Sequence, residues 1–568
     1  MLTFLRPRFV SKRYSVDIAG HVCKQVRTSS HHHEEYDRIS KLTNELFQNT
    51  VVSLNQIDVL LQKNVNNMTF HNFALLMGNT SRKKIKLRQS QLRTISEALS
   101  TMTANVKVDD IGQLAYSFHL YDDNQPHILS IMEVGNKKLK LATTITARVT
   151  ENVLFGMRNM SSSSAPVREM LGTLSSKMHT CTEDYSSIQI SNSLNGLRCM
   201  NSSNCAAELN AVIYEICQKM RSMKTSLNSR EVSNSLVGFR GIDSSNVIVR
   251  DVLLLLTDHL RHSRQMMHCV GISSSLYGLQ NMSSEHVEVR GIIEVLTKKI
   301  EEAAAANVSL DNIGVSNVLY GMQNMSCAHA EVKKMMCALS RIINQSKNIP
   351  MTANQLSNAI FGLQNMSPCN EVFDIITLLG VRVEAFDGRL NAEEVGKCLL
   401  GMRHLTSHAS STPDTLQVVH KIRLSIIHHK PFTNVKPVDV ARSVLGLGGV
   451  SVSSVQEGPS NLQLSSTVPS IVLIISNMCH SCSNDFSISD IIMILRGIRE
   501  LNIDNPDVQT LVASLGRKFR RLRNKNSLLL AEKELVAALS QNTDLKRCPF
   551  FGNLVSALGL KKRMTVLL

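Results

Sequence analysis

The sequence predicts an all-α chain, an α-solenoid superhelix of about twelve helical-hairpin repeats of roughly 40 residues each. Three observations lead there. An octapeptide recurs along most of the 568 residues, first as Val153-Leu-Phe-Gly-Met-Arg-Asn-Met160. A cap residue stands ten positions before its glycine in many copies: Ser186, Asn228, Asp311, Thr352, Asn391 and Ser487. Aromatic residues make up only 4%, with no Trp, and the alternating pattern of strands is absent; strands favour aromatic and β-branched residues, so a sandwich or barrel is disfavoured.

Composition narrows the function classes. Hydrophobic residues at 43% and charged residues at 19% can build a core, so the chain is not disordered as a whole. A net charge of +16 draws in polyanions, nucleic acid first. The 13 cysteines are odd in number and scattered, which reads as buried thiols in a reducing compartment. Cys479 and Cys482 form the one close pair and lack the second pair that structural zinc requires. The longest apolar run falls far short of a membrane span.

Residues 1–34 open the chain with Arg6, Arg8, Lys12, Arg13, Lys24 and Arg27, interleaved first with apolar residues and later with serines. A basic, acid-poor start of this kind is expected to be an organelle-targeting segment, mitochondrial or else plastid. Residues 35–65 are expected to form a helical cap, and 66–568 the repeat array, with a Ser-rich loop inserted at 451–470.

The array is anchored on the octapeptide glycines Gly156, Gly196, Gly238, Gly278, Gly321, Gly362, Gly401, Gly446 and Gly497, spaced 39 to 51 residues apart. Degenerate units extend outward through Ser117 and Leu76 on one side and Ala538 on the other. Each cap residue is followed three positions on by Gln189, Glu231, Gln355, Glu394 or Asp490 in five of the six cases, the pattern of a capping box. Helix A then carries apolar residues at three- and four-residue spacing, such as Val315, Val318, Leu319, Met322 and Met325, and is expected to run to the octapeptide's Met. After a Ser-rich turn comes helix B, for example Val287 to Ile300. A glycine inside a helix costs about 1 kcal/mol against Ala, so the recurrent one implies close approach between packed helices.

Segments such as Met351-Thr-Ala-Asn-Gln-Leu-Ser-Asn-Ala-Ile-Phe-Gly-Leu-Gln-Asn-Met366 resemble the octotricopeptide repeat family. Asn152, Asn192, Asn234, Asn317 and Asn358 match that family's Asn, and Leu154, Leu194, Leu236, Leu319 and Ile360 its Leu. Phe155, Tyr277, Tyr320 and Phe361 stand at its aromatic position, and Gly replaces its Ala. The resemblance implies a divergent, sequence-specific RNA-binding solenoid that acts in an organelle on processing, stability or translation of transcripts.

Catalytic signatures are missing. The sequence holds no P-loop, no His-Glu-x-x-His helix and no Gly-x-Ser-x-Gly turn. The chain is therefore expected to be non-enzymatic, with no cofactor, no metal and no small-molecule substrate. Its expected partner is single-stranded RNA; an armadillo-like or HEAT-like scaffold for other proteins is the alternative. Two polar rows recur in register. Two residues past the anchor stand Arg158, Arg198, Arg240, Gln280, Gln323, Gln364 and Arg403. Twelve past it, on helix B, stand Arg168, Arg250, Arg290 and Lys333. Arg and Lys neutralise phosphates, while Gln and Arg hydrogen-bond base edges, so these are the candidate RNA contacts. The same rows also suit helix capping or a solvated face. Basic runs at Arg82–Arg88 and Arg517–Lys525 add positive charge.

Overall fold

The computed structural model describes residues 37–519, apart from 49–50, 104, 347–349, 385, 387, 405–412, 429–430, 452–467, 499 and 502–504. The expected targeting segment, most of the 451–470 insertion, nearly all of the second basic run and the repeat around Ala538 lie outside the described residues.

Every regular element among the described residues is helical. Helix α1 covers 37–48. It is followed by α2 (Leu54–Asn64), α3 (Phe70–Arg82), α4 (Gln89–Ser100), α5 (Val108–Tyr116), α6 (Pro126–Leu141), α7 (Ala147–Gly156) and α8 (Ala165–His179). Then come α9 (Ser187–Asn195), α10 (Ser202–Ser222), α11 (Ser229–Val237), α12 (Val247–His262), α13 (Cys269–Gly278), α14 (Val287–Ala305), α15 (Asn312–Gly321) and α16 (Ala330–Asn344). The described part closes with α17 (Ala353–Phe361), α18 (Asn370–Glu384), α19 (Ala392–Gly401), α20 (Pro413–Ile427), α21 (Pro437–Ser451), α22 (Val468–Ser481), α23 (Ile488–Ile498) and α24 (Pro506–Phe519). Odd-numbered helices are the A helices of their hairpins and even-numbered ones the B helices. This is an α-solenoid.

Packing divides the chain into two units, Met1–Tyr185 with Cys199–Lys219, and Ser186–Arg198 with Met220–Leu568. Inside the first, α3, α5 and α7 pack in sequence, as do α2, α4, α6 and α8. In the second, the A helices from α9 to α23 form one row and the B helices from α12 to α24 another. A single hairpin cannot enclose a core, so each repeat borrows its neighbour's apolar face.

The local signals act as the residues dictate. Ser186 with Gln189, Asn228 with Glu231, Thr352 with Gln355 and Asn391 with Glu394 form reciprocal capping boxes. Asp311 accepts the Gly314 N–H at 2.7 Å. Val315, Val318, Leu319, Met322 and Met325 are fully buried, and so are Val289, Ile292, Ile293, Leu296 and Ile300 on helix B. Each such side chain contributes roughly 1.5–3 kcal/mol.

Helix A stops earlier than its apolar spacing predicts. Helix α7 ends at Gly156, a 3₁₀ turn follows over Met157–Asn159, and Met160 is extended at φ −107° and ψ 143°. Tightening the last turn gives the terminal carbonyls partners, and it drops the buried Met160 between the helices of its hairpin. The glycine is thus a helix end pressed against its neighbour. A Cβ built on Gly278 would lie 2.2 Å from the carbonyl oxygen of Leu236, and one on Gly321 would lie 2.0 Å from that of Leu276. The close approach implied by the sequence is backbone against backbone, between successive A helices.

Candidate nucleic-acid interface

The predicted rows are built into the joints between repeats. In the first row the Arg240 Nε donates to the Arg198 carbonyl at 2.8 Å. Gln280 Nε2 and Asn281 Nδ2 both donate to the Arg240 carbonyl, at 2.7 and 2.8 Å. Gln323 and Asn324 repeat the same pair of bonds to the Gln280 carbonyl at 2.9 and 3.0 Å, and Asn365 reaches the Gln323 carbonyl at 2.9 Å. In the first unit Asn159 donates to the His119 carbonyl at 2.7 Å. The carbonyls freed at the end of each A helix therefore find donors one repeat further on. Gln323 is only 7% exposed. Arg158, Arg198 and Gln364 are half-buried at equivalent positions, with the Arg158 guanidinium 4.2 Å from the Phe155 ring centroid. Arg403 is tied to Glu500 at 2.6 Å. Beside it, burial and then the Arg403 charge hold the His404 imidazole below its usual value.

The helix B row braces turns. Arg168 Nη1 donates to the carbonyls of Ser162 and Ser163 at 2.9 and 2.6 Å. Arg250 does so to Ser244 and Ser245 at 2.8 and 3.0 Å, and Arg290 to Ser284 and Glu285 at 2.7 and 3.1 Å. Arg250 also faces Glu288 of the next repeat at 3.5 Å, and Arg290 faces Glu331 at 3.8 Å. Lys333 is exposed at the equivalent place.

Two further ladders escape the sequence reading. The buried hydroxyls of Ser162, Ser244 and Ser284 accept the backbone N–H groups of Asn201, Ser283 and Ser326, each at 2.9 Å. Helix B cations reach back to the C-terminal carbonyls of the preceding B helix. Lys177 bonds Ala142 at 2.5 Å, Lys299 bonds Ser263 at 2.9 Å, Lys518 bonds Cys482 at 2.5 Å, and Lys219 bonds Cys181. A cation there meets both the unpaired carbonyl and the negative end of the helix dipole. A lysine recurring near the end of α8, α10, α14 and α24 is the signal that would have found them. Much of the positive charge therefore holds repeats together.

What the joints leave open is the outward face of the A helices. Four residues before the anchor come the half-buried amides Gln113, Asn152, Asn192, Asn234, Asn317 and Asn358. Asn358 bonds Asn354 at 2.7 Å and accepts from Lys397 at 2.9 Å. Gln113 and Asn152 in the first unit, and Asn234 and Asn317 in the second, make no side-chain hydrogen bond to another described residue. One residue before the anchor stand rings. Tyr116 stacks on Phe155 with centroids 5.5 Å apart. In the second unit Tyr277, Tyr320 and Phe361 follow one another at 5.9 and 5.7 Å, with Arg442 set 5.2 Å from the Phe361 centroid. Burial pushes the Tyr320 phenol up, so it stays neutral and able to donate. Rings this close leave no room for a base between them; they present edges and a ridge beside the amides. Sequence reasoning saw these asparagines and aromatics as family markers and not as a surface.

Among the described residues no group of three or more His, Cys, Asp and Glu side chains is placed to hold a metal, and no helix is long and apolar enough to cross a membrane.

Fold and face together define a helical-repeat protein with a polar, ring-lined A-helix row. No family model matches the sequence, and no curated protein matches it. Similar solved structures include a homology model of the full-length AP-3 complex in an intermediate open conformation, at 10% identity over 93% of this chain and 98% of that one, with a TM-score of 0.25. The pentatricopeptide repeat protein PPR10 in complex with an 18-nt psaJ RNA element is similar at 9% identity over 91% and 83%, with a TM-score of 0.19. Overlays this loose transfer no function to the chain.

Proposed function

We propose that this protein binds single-stranded RNA along its A-helix row, without catalysis, and so affects the processing, stability or translation of an organellar transcript. The carrying observation is the set of unspent amides on the outward A-helix faces, Gln113 and Asn152 in the first unit and Asn234 and Asn317 in the second, each pair beside the rings of its own unit. Amides donate and accept in the pattern that base edges offer, and splayed single strands expose those edges. The basic residues 1–34 support the organellar part of the reading, mitochondrial before plastid.

A protein scaffold is the competing reading. Ile188, Val270 and Ile313 favour it: they are 59%, 71% and 57% exposed in the first turns of α9, α13 and α15. Crosslinking the tagged protein in cells and sequencing the recovered RNA separates the two. Enrichment of organellar transcripts is expected; recovery at background, with protein partners co-purifying, would favour the scaffold.

A further inference from the structure

One cavity on the A-helix face of the first unit is lined by charged side chains. It measures about 300 Å³ and is lined by Gly78 and Arg82 of α3, Asp109, Gln113 and Tyr116 of α5, and Arg148 and Asn152 of α7. That is the lower end of the size range of small-ligand sites. Gly78 opens it: a Cβ there would lie 2.6 Å from Gln113 Nε2. Two guanidiniums reach the cavity from opposite walls. Arg82 Nη1 donates to Asn79 Oδ1 at 2.9 Å, and Arg148 Nη2 pairs with Asp109 at 3.0 Å, both Arg148 and Asp109 more than half exposed. Each arginine carries five N–H donors, so most remain available.

The turn that follows Arg82 adds charge. Lys83, Lys84 and Lys86 are all exposed. Lys84 sits in the left-handed region at φ 56°. Its N–H bonds the Ser81 carbonyl at 3.0 Å, and that of Ile85 bonds the Thr80 carbonyl at 2.9 Å. This is a helix end that ordinarily takes glycine, and a side chain there is strained. A lysine is held where glycine would cost less. By contrast, the equivalent outward positions from α9 to α17 hold Ile188, Val270, Ile313, Asn354 and the amides and rings, with Arg230 as a cation; Lys397 and Arg442 take the amide position on α19 and α21, where Lys397 is bonded to Asn358 and Glu393 and Arg442 lies over the Phe361 ring.

We propose that this cavity is an anchor for the terminal phosphomonoester of the bound RNA strand. The inference rests on the RNA-binding reading and adds an end-recognition site to it. A terminal monoester carries close to two negative charges and three acceptor oxygens, against one charge on each internal diester. A row of diesters calls for cations spread evenly along the face; within the first unit the outward cations gather at this cavity, which matches a single, more highly charged group. Arg82 and Arg148 grip the phosphate by charge-assisted bonds. Tyr116 and the amides of Gln113 and Asn152 border the adjoining nucleoside. Asp109 opposes the phosphate and holds Arg148 in place until the ligand takes over the contact.

The test uses the full chain and three oligonucleotides of one sequence, ending in a 5′-phosphate, a 3′-phosphate, or hydroxyls at both ends. Fluorescence anisotropy gives the ratio of affinities, which does not depend on the fraction of protein folded. One phosphorylated strand is expected to bind about tenfold more tightly than the hydroxyl strand, the size of one to two charge-assisted bonds. Its identity tells which end the cavity takes. The ratio should fall to about one in Arg82→Ala/Arg148→Ala and rise in Asp109→Asn. Equal binding of all three strands by the parent protein overturns the anchor while leaving RNA binding intact. Binding of none overturns the RNA reading and the anchor with it.

Discussion

A Cβ placed on Gly362 would lie 1.9 Å from the carbonyl oxygen of Leu319, one repeat earlier. No side-chain rearrangement relieves a clash with backbone. Gly362→Ala gains about 1 kcal/mol of helix propensity but must push two A helices apart, so a net loss of more than about 2 kcal/mol is expected. Gly135→Ala is the control, because nothing lies within 4 Å of its Cβ in the middle of α6. That variant should gain about 0.5–1 kcal/mol. Thermal melts of the two, shifting in opposite directions, check the relationship; a neutral Gly362→Ala would refute it.

The Gln280 and Asn281 amides share the Arg240 carbonyl. Replacing both with Ala strands that half-buried oxygen and should cost about 1–3 kcal/mol. Arg240→Ala removes a joint bond in the same way, so a role for this row in RNA contact cannot be read from a binding loss alone. Hydrogen exchange should rise locally, at the ends of α11 and α13. Unchanged exchange would mean the ladder contributes nothing.

Lys299, only 7% exposed, links Ser263 and Glu302. Lys299→Met keeps the stem's packing and removes the charge, leaving the last turn of α12 without its donor. Urea unfolding should show a loss of about 1.5–3 kcal/mol. An equal loss with Lys299→Arg would point to packing and not to the charge–carbonyl bond.

Asn234→Ala and Asn317→Ala delete amides that make no bond to other described residues. Stability should stay within about 0.5 kcal/mol, while RNA affinity drops by roughly three- to tenfold per site, the scale of one net hydrogen bond. The log–log salt slope should be no steeper than about −4, at roughly 0.7 per phosphate neutralised by the few outward cations. A slope near −10 would place the RNA on another surface.

Burial pushes the Cys327 and Cys398 thiols well above their ordinary range. The thiolate is the reactive form. Both should resist maleimide in the native protein at pH 7.5 and react after denaturation, as mapped by mass spectrometry. Modification of Cys398 in the native state would contradict the packing of α19.

The period, the hairpin and the caps are legible in the sequence. Those are local: a Ser, Thr, Asn or Asp ten residues before a glycine satisfies its own helix's N–H groups, and three- and four-residue apolar spacing marks one face whatever lies beyond it. The sequence also showed that the glycine needs a neighbour. What it left open was which polar residues that neighbour would consume. Arg240, Gln280 and Gln323 look identical, as text, to a nucleic-acid stripe; only their distances to carbonyls some 40 residues earlier reveal them as joints. The asparagines four residues before five of the anchors are legible in the sequence as a motif and not as a surface. A donor's role depends on whether an acceptor already sits within 3 Å of it, and in a stacked array that acceptor belongs to another repeat, placed by packing and not by sequence distance.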